Sequence, residues 1–468
     1  MNVLNILDSL DNSSSKKENN IENNTKTKTL NVFFEKDYTS YASYDNARKI
    51  GNIIDGLKLS SRKVIYTILT NNIKDEIKVS QLASKVAELT EYLHGEKSLE
   101  GVIVGLAQDY SGSNNLPLLY PEGNFGKRFI PTASASRYIY THMQNYLRDI
   151  FLKEDDDILE NHKFEGRNIE FKYYVPTIPL LLINGSEGIS NGFAQKILPR
   201  NIEDVIFNIK AILNVNETKN MLPYYKNFEG EIKQVDKNKF EILGKFEWIS
   251  NNKLLITEIP VGISLKKYQE ILDDLEDKKI IRSYKDLSSK GDKFRFEIIV
   301  NSNWKKLDDY KILDKLKLIK KVTENLTVTN ELNKIEVFDN INDILKYYID
   351  FKLNYIDKRK EYQLIKIEKE IKDLQRIIDF INLIVSNKID IRKEENEIVK
   401  ILEEYNLEKV DNSYDYLFKI PIRRLNKNER DKLDNKIKNL FNEYELLKNT
   451  SSKDIWIRDI ENLQKKIG

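Results

Sequence analysis

"SASRYIYTHM", residues 134–143, places an arginine directly before a tyrosine, with small residues ahead of the pair and a second tyrosine two positions on. A phenol can fill a core, offer a hydrogen-bonding tip or attack an electrophile. With a pKa of about 10 it is a poor nucleophile unaided. An adjacent guanidinium changes this, because its planar fork matches phosphate oxygens and stabilises both a phenolate and a phosphate under attack. A tyrosyl ester formed from a phosphodiester keeps the energy of the broken bond for resealing. An isolated Arg-Tyr pair is ordinarily a surface feature, so the surrounding sequence decides.

Upstream, "ARKIGNIIDGL", "SSRKVIYTIL", "SQLASKVAELTEYL" and "KSLEGVIVGLAQDY" each carry one apolar helical face. Ser60 or Ser61 is expected to cap the second helix and Ser80 the third. Lys58, Arg62 and Lys63 gather at one turn, which fits a helix-turn-helix assembly and equally any small helical bundle. Glycine and proline concentrate between residues 95 and 200. There "YYVPTIPLLLINGSEGISNGF" (173–193) reads as buried strand, turn and strand. "KLLITEIPVGIS" (253–264) reads as a strand ending at Pro260, and mixed patterns to about residue 340 predict an α+β region.

The last third differs. Glycine is absent from 292 to 467, and Pro421 is the only proline there. Leu364, Ile367, Ile371, Leu374, Ile378, Ile381 and Val385 alternate spacings of three and four, a heptad seam. At about 1.5 Å per residue it makes a rod of roughly 30 Å. Leu433, Ile437, Leu440, Tyr444 and Leu447 repeat the pattern, so an antiparallel pair is expected with 386–426 as a knob at its tip. Such a rod is usually a spacer or a dimer handle.

The chain of 468 residues is too long for one core, so several domains are expected. It has no cysteine, which excludes disulfides, thiolate zinc sites and cysteine nucleophiles. Its three histidines, His94, His142 and His162, argue against a histidine-rich metal site. A net charge of +2 means that a nucleic-acid partner would meet local basic patches, not a uniformly basic surface. No apolar run suits a membrane span or a signal peptide, and the polar stretch 11–29 is expected to be disordered.

Six stretches then occur in one order: "IDGLKLSSRKVIY" (54–66), "YLHGEKSLEGVIVGLAQDYSGSNNLPLLYPEGNFGKR" (92–128), "SASRYI" (134–139), "IPLLLINGSEGISNGF" (178–193), "ITEIPVG" (256–262) and "SSKDIWIRDIENL" (451–463). Together they resemble the DNA breakage-reunion part of type IIA DNA topoisomerases, over roughly residues 37–468. "HGEKS" and "GSNN" look more like the eukaryotic enzyme and the medium subunit of tailed-phage topoisomerases than bacterial gyrase.

The resemblance implies an α+β multidomain fold. Residues 1–30 are a disordered N-terminal segment. Residues 31–165 form a winged-helix (helix-turn-helix) DNA-binding domain with the catalytic tyrosine, and 166–340 an α/β tower domain. Residues 341–468 form a long antiparallel coiled coil with a helical C-gate, whose dimerisation knob lies at about 386–426. It implies Tyr138 as the nucleophile that becomes joined to a 5′ phosphate, and Arg137 as the stabiliser beside it. Lys58, Arg62, Lys63 and His94 match the family's DNA contacts, and Ile189 matches an isoleucine that wedges between base pairs. Tyr140 falls outside the nucleophile position and reads as structural. The family carries another histidine just before His94, where this chain has Tyr92 and Leu93.

No ATP-binding glycine loop and no Asp-x-Asp metal motif in strand context is found, so Mg²⁺ and ATP are both expected on a separate ATPase/metal-binding subunit. The other expected partners are double-stranded DNA and a second copy of the chain, with no membrane and a cytoplasmic location (the host cytoplasm if phage-encoded). The function so implied is transient double-strand cleavage, strand passage and religation. The chain has no room for a C-terminal β-propeller, so relaxation and decatenation are expected in place of negative supercoiling. Two other readings stay open: a C-terminally shortened gyrase or topoisomerase IV A subunit, and a non-catalytic architectural DNA-binding protein with the same fold.

Overall fold

The computed structural model describes residue 30, residues 33–288 and residues 293–467. The disorder expected for the N-terminal segment therefore falls outside the described residues, apart from Leu30. The described residues divide into two compact units: Leu353–Arg458, and the chain on either side of it.

The larger unit opens with a π-helical stretch, Phe33–Tyr38, and four helices: α1 (Thr39–Lys49), α2 (Leu59–Thr70), α3 (Val79–Leu89) and α4 (Glu96–Ala107). The helix expected to continue through "KIGNIIDGL" stops at Lys49. Beyond it Ile50 is extended and Asn52 bridges to Thr329. Gly56 then turns the chain with φ +67°, where a Cβ would lie 2.5 Å from the Leu181 nitrogen. This turn starts α2 ahead of the serines. Lys58 and Lys78 occupy the N-cap positions of α2 and α3 without side-chain caps, so Ser60, Ser61 and Ser80 lie inside helices. The buried residues Val79, Leu82, Ala83 and Val86 repeat at helical spacing and give α3 its inward face. Strands β1 (Ile77–Lys78), β2 (Leu119–Glu122) and β3 (Tyr140–Met143) form an antiparallel sheet with β3 central.

A hairpin of β4 (Asn161–Phe164) and β5 (Arg167–Phe171) follows, and the boundary expected at 165/166 falls within its turn. The apolar run expected as a strand forms instead a short helix, α5 (Leu180–Asn184), with Leu180 to Ile183 all buried. A short run buried on every side carries no period, so helix and strand read alike. The second half of that stretch does contain a strand, β6 (Ser186–Ile189), but its antiparallel partner is β7 (Ala194–Ile197), beyond the stretch, with Ile189 opposite Ala194.

After α6 (Ile202–Leu213) come β8 (Glu231–Asp236), β9 (Lys239–Leu243), β10 (Lys245–Ser250) and β11 (Lys253–Glu258). They are joined by α7 (Leu265–Asp277), β12 (Ser283–Asp286), β13 (Phe296–Ile299), α8 (Asp309–Lys315) and β14 (Ile319–Thr323). The sheets are ordered β14-β9-β8 and β10-β11-β13-β12. Tyr268, Leu272 and Leu275 of α7 pack with Leu254, Ile256, Phe296 and Ile298 of the four-stranded sheet. That sheet is covered on one face, which stabilises it at roughly 25 cal/mol per Å² of apolar surface removed from water.

In the smaller unit, α9 (Ile341–Val385, entering it at Leu353) lies beside a helix that we label α11 (Lys427–Asn449), after α10 (Glu395–Glu404). Ile378 and Ile381 pack on Leu433, flanked by Leu374 and Ile437. Lys436 meets Glu370 at 2.7 Å, Tyr444 donates to Glu368 at 2.6 Å, and Lys360 donates to the Lys448 carbonyl at 2.9 Å. Partner numbers fall along one helix as they rise along the other, so the two run antiparallel. Phe380, Leu383, Ile389, Ile398, Leu402, Tyr414 and Leu417 form a separate small core at the tip.

Candidate active site

Arg137 and Tyr138 sit in the turn that leads into β3. The Tyr138 amide donates to the Ala135 carbonyl at 2.9 Å, and Ser134 is tied to Asn124 by its amide (2.9 Å) and its hydroxyl (3.2 Å). At the N-terminal end of α3, the Val79 amide donates to the Ile139 carbonyl at 3.1 Å. This fixed turn holds Tyr138 outward with 66% of its surface exposed. The Arg137 guanidinium carbon lies 4.7 Å from the Tyr138 ring centre, a cation–π contact on an exposed face. Both residues are free to meet an anionic substrate. Tyr140 is different: it pairs with Glu122 and Lys78 in the sheet and is half-buried, a structural place.

A second cluster surrounds α1. His94 Nε2 and the Tyr44 hydroxyl are 3.0 Å apart, and the two rings stack. Tyr92 meets the same imidazole edge-on at 5.4 Å. Burial, then the Arg48 charge, lowers the His94 pKa, so the ring is neutral near pH 7. The Arg48 guanidinium lies 5.8 Å from the Tyr44 ring centre, and its buried Nε has no hydrogen-bond partner. A half-buried guanidinium suits a phosphate at its exposed edge, whereas the orphaned Nε is itself closed to solvent.

The hairpin of β6 and β7 carries Ile189 at its tip, 78% exposed. Lys58 is half-buried and donates to the Glu187 carbonyl of this hairpin at 2.6 Å. Burial lowers its pKa, opposed by Glu187. Thus Lys58 is bonded to the hairpin that carries Ile189, and His94 is held by Tyr44 of α1. Among the described residues no hydrogen bond, ion pair or ring contact joins Arg137 or Tyr138 to either group.

Arg62 and Lys63 point inward. Arg62 is 3% exposed and holds the fully buried Asp55 through Nε at 2.7 Å and Nη2 at 3.1 Å. Lys63 is 6% exposed and donates to Glu170 and to the Thr90 carbonyl, each at 2.7 Å. Both residues expected to touch DNA are thus nearly buried, with Arg62 Nε and Nη2 and the Lys63 ammonium engaged by partners inside the fold. Burial pushes the Glu170 carboxyl up, and Lys63 opposes this.

The family model for the DNA gyrase/topoisomerase IV A subunit matches residues 48–461. This chain belongs to that family of type II topoisomerases. It is 33% identical over 459 residues to the mitochondrial DNA topoisomerase 2 of Dictyostelium discoideum, covering 95% of this chain and 36% of that one. It is 32% identical over 505 residues to DNA topoisomerase 2 of Acanthamoeba polyphaga mimivirus, covering 92% and 40%. Among solved structures it is similar to the DNA-binding, cleavage and re-ligation domain of Plasmodium falciparum topoisomerase II. That match has a TM-score of 0.84 and 34% identity, over 93% of this chain and 64% of the other. The chain spans well under half the length of the curated relatives it matches.

Within this topoisomerase-family chain, sequence reasoning missed Arg48. "NARKIG" holds nothing to separate Arg48 from Lys49. The signal is three-dimensional, an orphaned Nε beside Tyr44 and His94. Among the described residues no group of three or more Asp, Glu, His or Cys side chains could hold a metal ion, so no chemical step is assigned to a metal carried by them. No helix among them is long and apolar enough to cross a membrane.

Proposed function

We propose that this chain is the DNA breakage-reunion subunit of an ATP-dependent type II topoisomerase, of the medium-subunit kind that "HGEKS" and "GSNN" resemble. Tyr138 Oη attacks a backbone phosphorus. The bond from phosphorus to the 3′ oxygen breaks as the tyrosyl bond to the 5′ phosphate forms, and the phenolic proton ends on the departing 3′ hydroxyl. Reversal of the step reseals the strand. Arg137 stabilises the charge on the phosphate, and Arg48 with His94 contacts the DNA backbone nearby. Ile189 enters a base step and bends the duplex. Lys58 supports the hairpin that carries Ile189.

In this reading residues 31–165 act as the winged-helix domain and 166–340 as the tower. Residues 341–468 act as the coiled coil, with a C-gate knob at about 386–426 through which two copies pair. Mg²⁺ and ATP belong to a separate protein of the complex. The observation that carries the proposal is the exposed Tyr138 with the Arg137 guanidinium against its ring, in a chain of this family. The test is incubation with DNA and the metal-bearing partner, followed by denaturant. A protein–DNA covalent adduct is expected, and Tyr138→Phe removes it. An adduct at the wild-type level in that variant contradicts the proposal, and no adduct in an otherwise DNA-bending wild type favours the architectural reading.

A further inference from the structure

A hairpin that wedges a base step is pushed back by the stacking energy it disrupts. A two-stranded hairpin alone is marginally stable. The strands β6 and β7 therefore need an abutment, and α1 supplies it. The Ser190 hydroxyl points at Asp45 Oδ2 (2.9 Å) and Asn46 Oδ1 (2.6 Å), and the Asn191 amide donates to Asp45 Oδ2 at 3.3 Å. The backbone at Gly188 is pressed onto the end of the same helix, where a Cβ would lie 1.9 Å from the Lys49 carbonyl oxygen.

Asp45 is 6% exposed and meets Lys49 at 3.0 Å. Burial opposes its ionisation, but Lys49, the Ser190 hydroxyl and the Asn191 amide outweigh it and lower its pKa. Hydrogen bonds to a charged acceptor are the strong ones. Ile189, next to this anchored turn, is left exposed. We infer that Asp45 is a positioning residue for DNA bending, holding the Ser190–Asn191 turn on α1 so that Ile189 stands rigidly outward. The inference rests on the reading of Ile189 as the wedge. Tyr44 and Arg48 lie on the same helical turn, so the wedge is referenced to the element that holds His94.

The experiment measures the bend of a doubly labelled duplex by FRET, with the full chain alone and with the metal-bearing partner. Asp45→Ala and Ser190→Ala are each expected to reduce the bending equilibrium by roughly tenfold, the scale of a hydrogen bond to a charged group. The double variant loses less than the sum of the two single ones, since either alone already removes the shared Ser190–Asp45 contact. Asp45→Asn keeps an acceptor and recovers much of the bend. A mismatch at the wedged step lowers the cost of unstacking and restores bending in Asp45→Ala, which a general folding defect does not allow. If Asp45→Ala does not fold, Ser190→Ala carries the test. Wild-type bending by Ser190→Ala and Asp45→Ala, with loss in Ile189→Ala, overturns the anchor and leaves the wedge standing. Wild-type bending by Ile189→Ala overturns the wedge itself.

Discussion

Removing the Arg62 side chain separates a buried structural cation from a DNA contact. In Arg62→Ala, the fully buried Asp55 loses the donors at 2.7 and 3.1 Å and keeps only the Leu57 and Tyr174 amides, at 2.9 and 3.1 Å. Two backbone donors do not neutralise a carboxylate. Breaking a buried pair this way costs about 3–5 kcal/mol. The assay is the denaturant midpoint of the full chain, with the salt dependence of its affinity for a short duplex measured alongside. Arg62→Ala is expected to lower the midpoint by that free energy divided by the m-value and to leave the slope of log affinity against log salt unchanged. Arg48→Ala is the counterpart. It removes a guanidinium whose Nε is unpartnered, so stability changes little while the slope falls by about 0.9, the value for one phosphate. An unchanged midpoint with a reduced slope for Arg62→Ala would refute the reasoning and return Arg62 to the DNA surface.

Acidification should destabilise the larger unit through His162. Burial first, then Arg62 and Lys63, lower its pKa from 6.5 to about 3. Between those values the unfolded chain binds the extra proton, so stability falls as pH drops, by up to about 1.4 kcal/mol per unit. His162→Phe should flatten that slope in urea midpoints compared at near-neutral and mildly acidic pH; an unaltered slope would exclude His162 as the source. Sedimentation at micromolar concentration should show a dimer, and deleting the tip around 386–426 should yield monomers. A monomeric intact chain counts against the C-gate assignment. Quinolone trapping should be weak: the resemblance through His94-Gly95 implies that Lys97 and Gly101, both exposed on α4, stand where bacterial enzymes carry a drug-holding serine and acid. A cation there repels the bridging metal, and cleavage trapping at concentrations typical for gyrase would refute this.

The features legible in the sequence are those with a period or a forced backbone. The α9 and α11 arms follow from spacings of three and four, and their contacts fall where the seam places Ile378, Ile381, Leu433 and Ile437. Part of the β6–β7 hairpin is legible, since Gly192 at φ +76° sits in its turn, but its second strand, Ala194–Ile197, lies beyond the stretch read as strand, turn and strand. The helix at 180–184 is not legible, because four buried residues in a row are compatible with either element. Nor is the burial of Arg62 and Lys63. A basic run reads as surface until its acids are found, and Lys63 finds Glu170, 107 residues away, by folding alone. Motif alone singles out Tyr138 and Ile189; their exposure cannot be read from their neighbours, and the structure places both outward.

The most direct measurement is the identity of the residue that DNA becomes attached to. The native complex is incubated with a duplex, stopped with denaturant, digested with protease and nuclease, and read by mass spectrometry. The account predicts a 5′-phosphonucleotide on the hydroxyl of Tyr138, absent in Tyr138→Phe. Attachment to Tyr140 or any other side chain, or DNA strand passage by the reconstituted Tyr138→Phe variant, would contradict it.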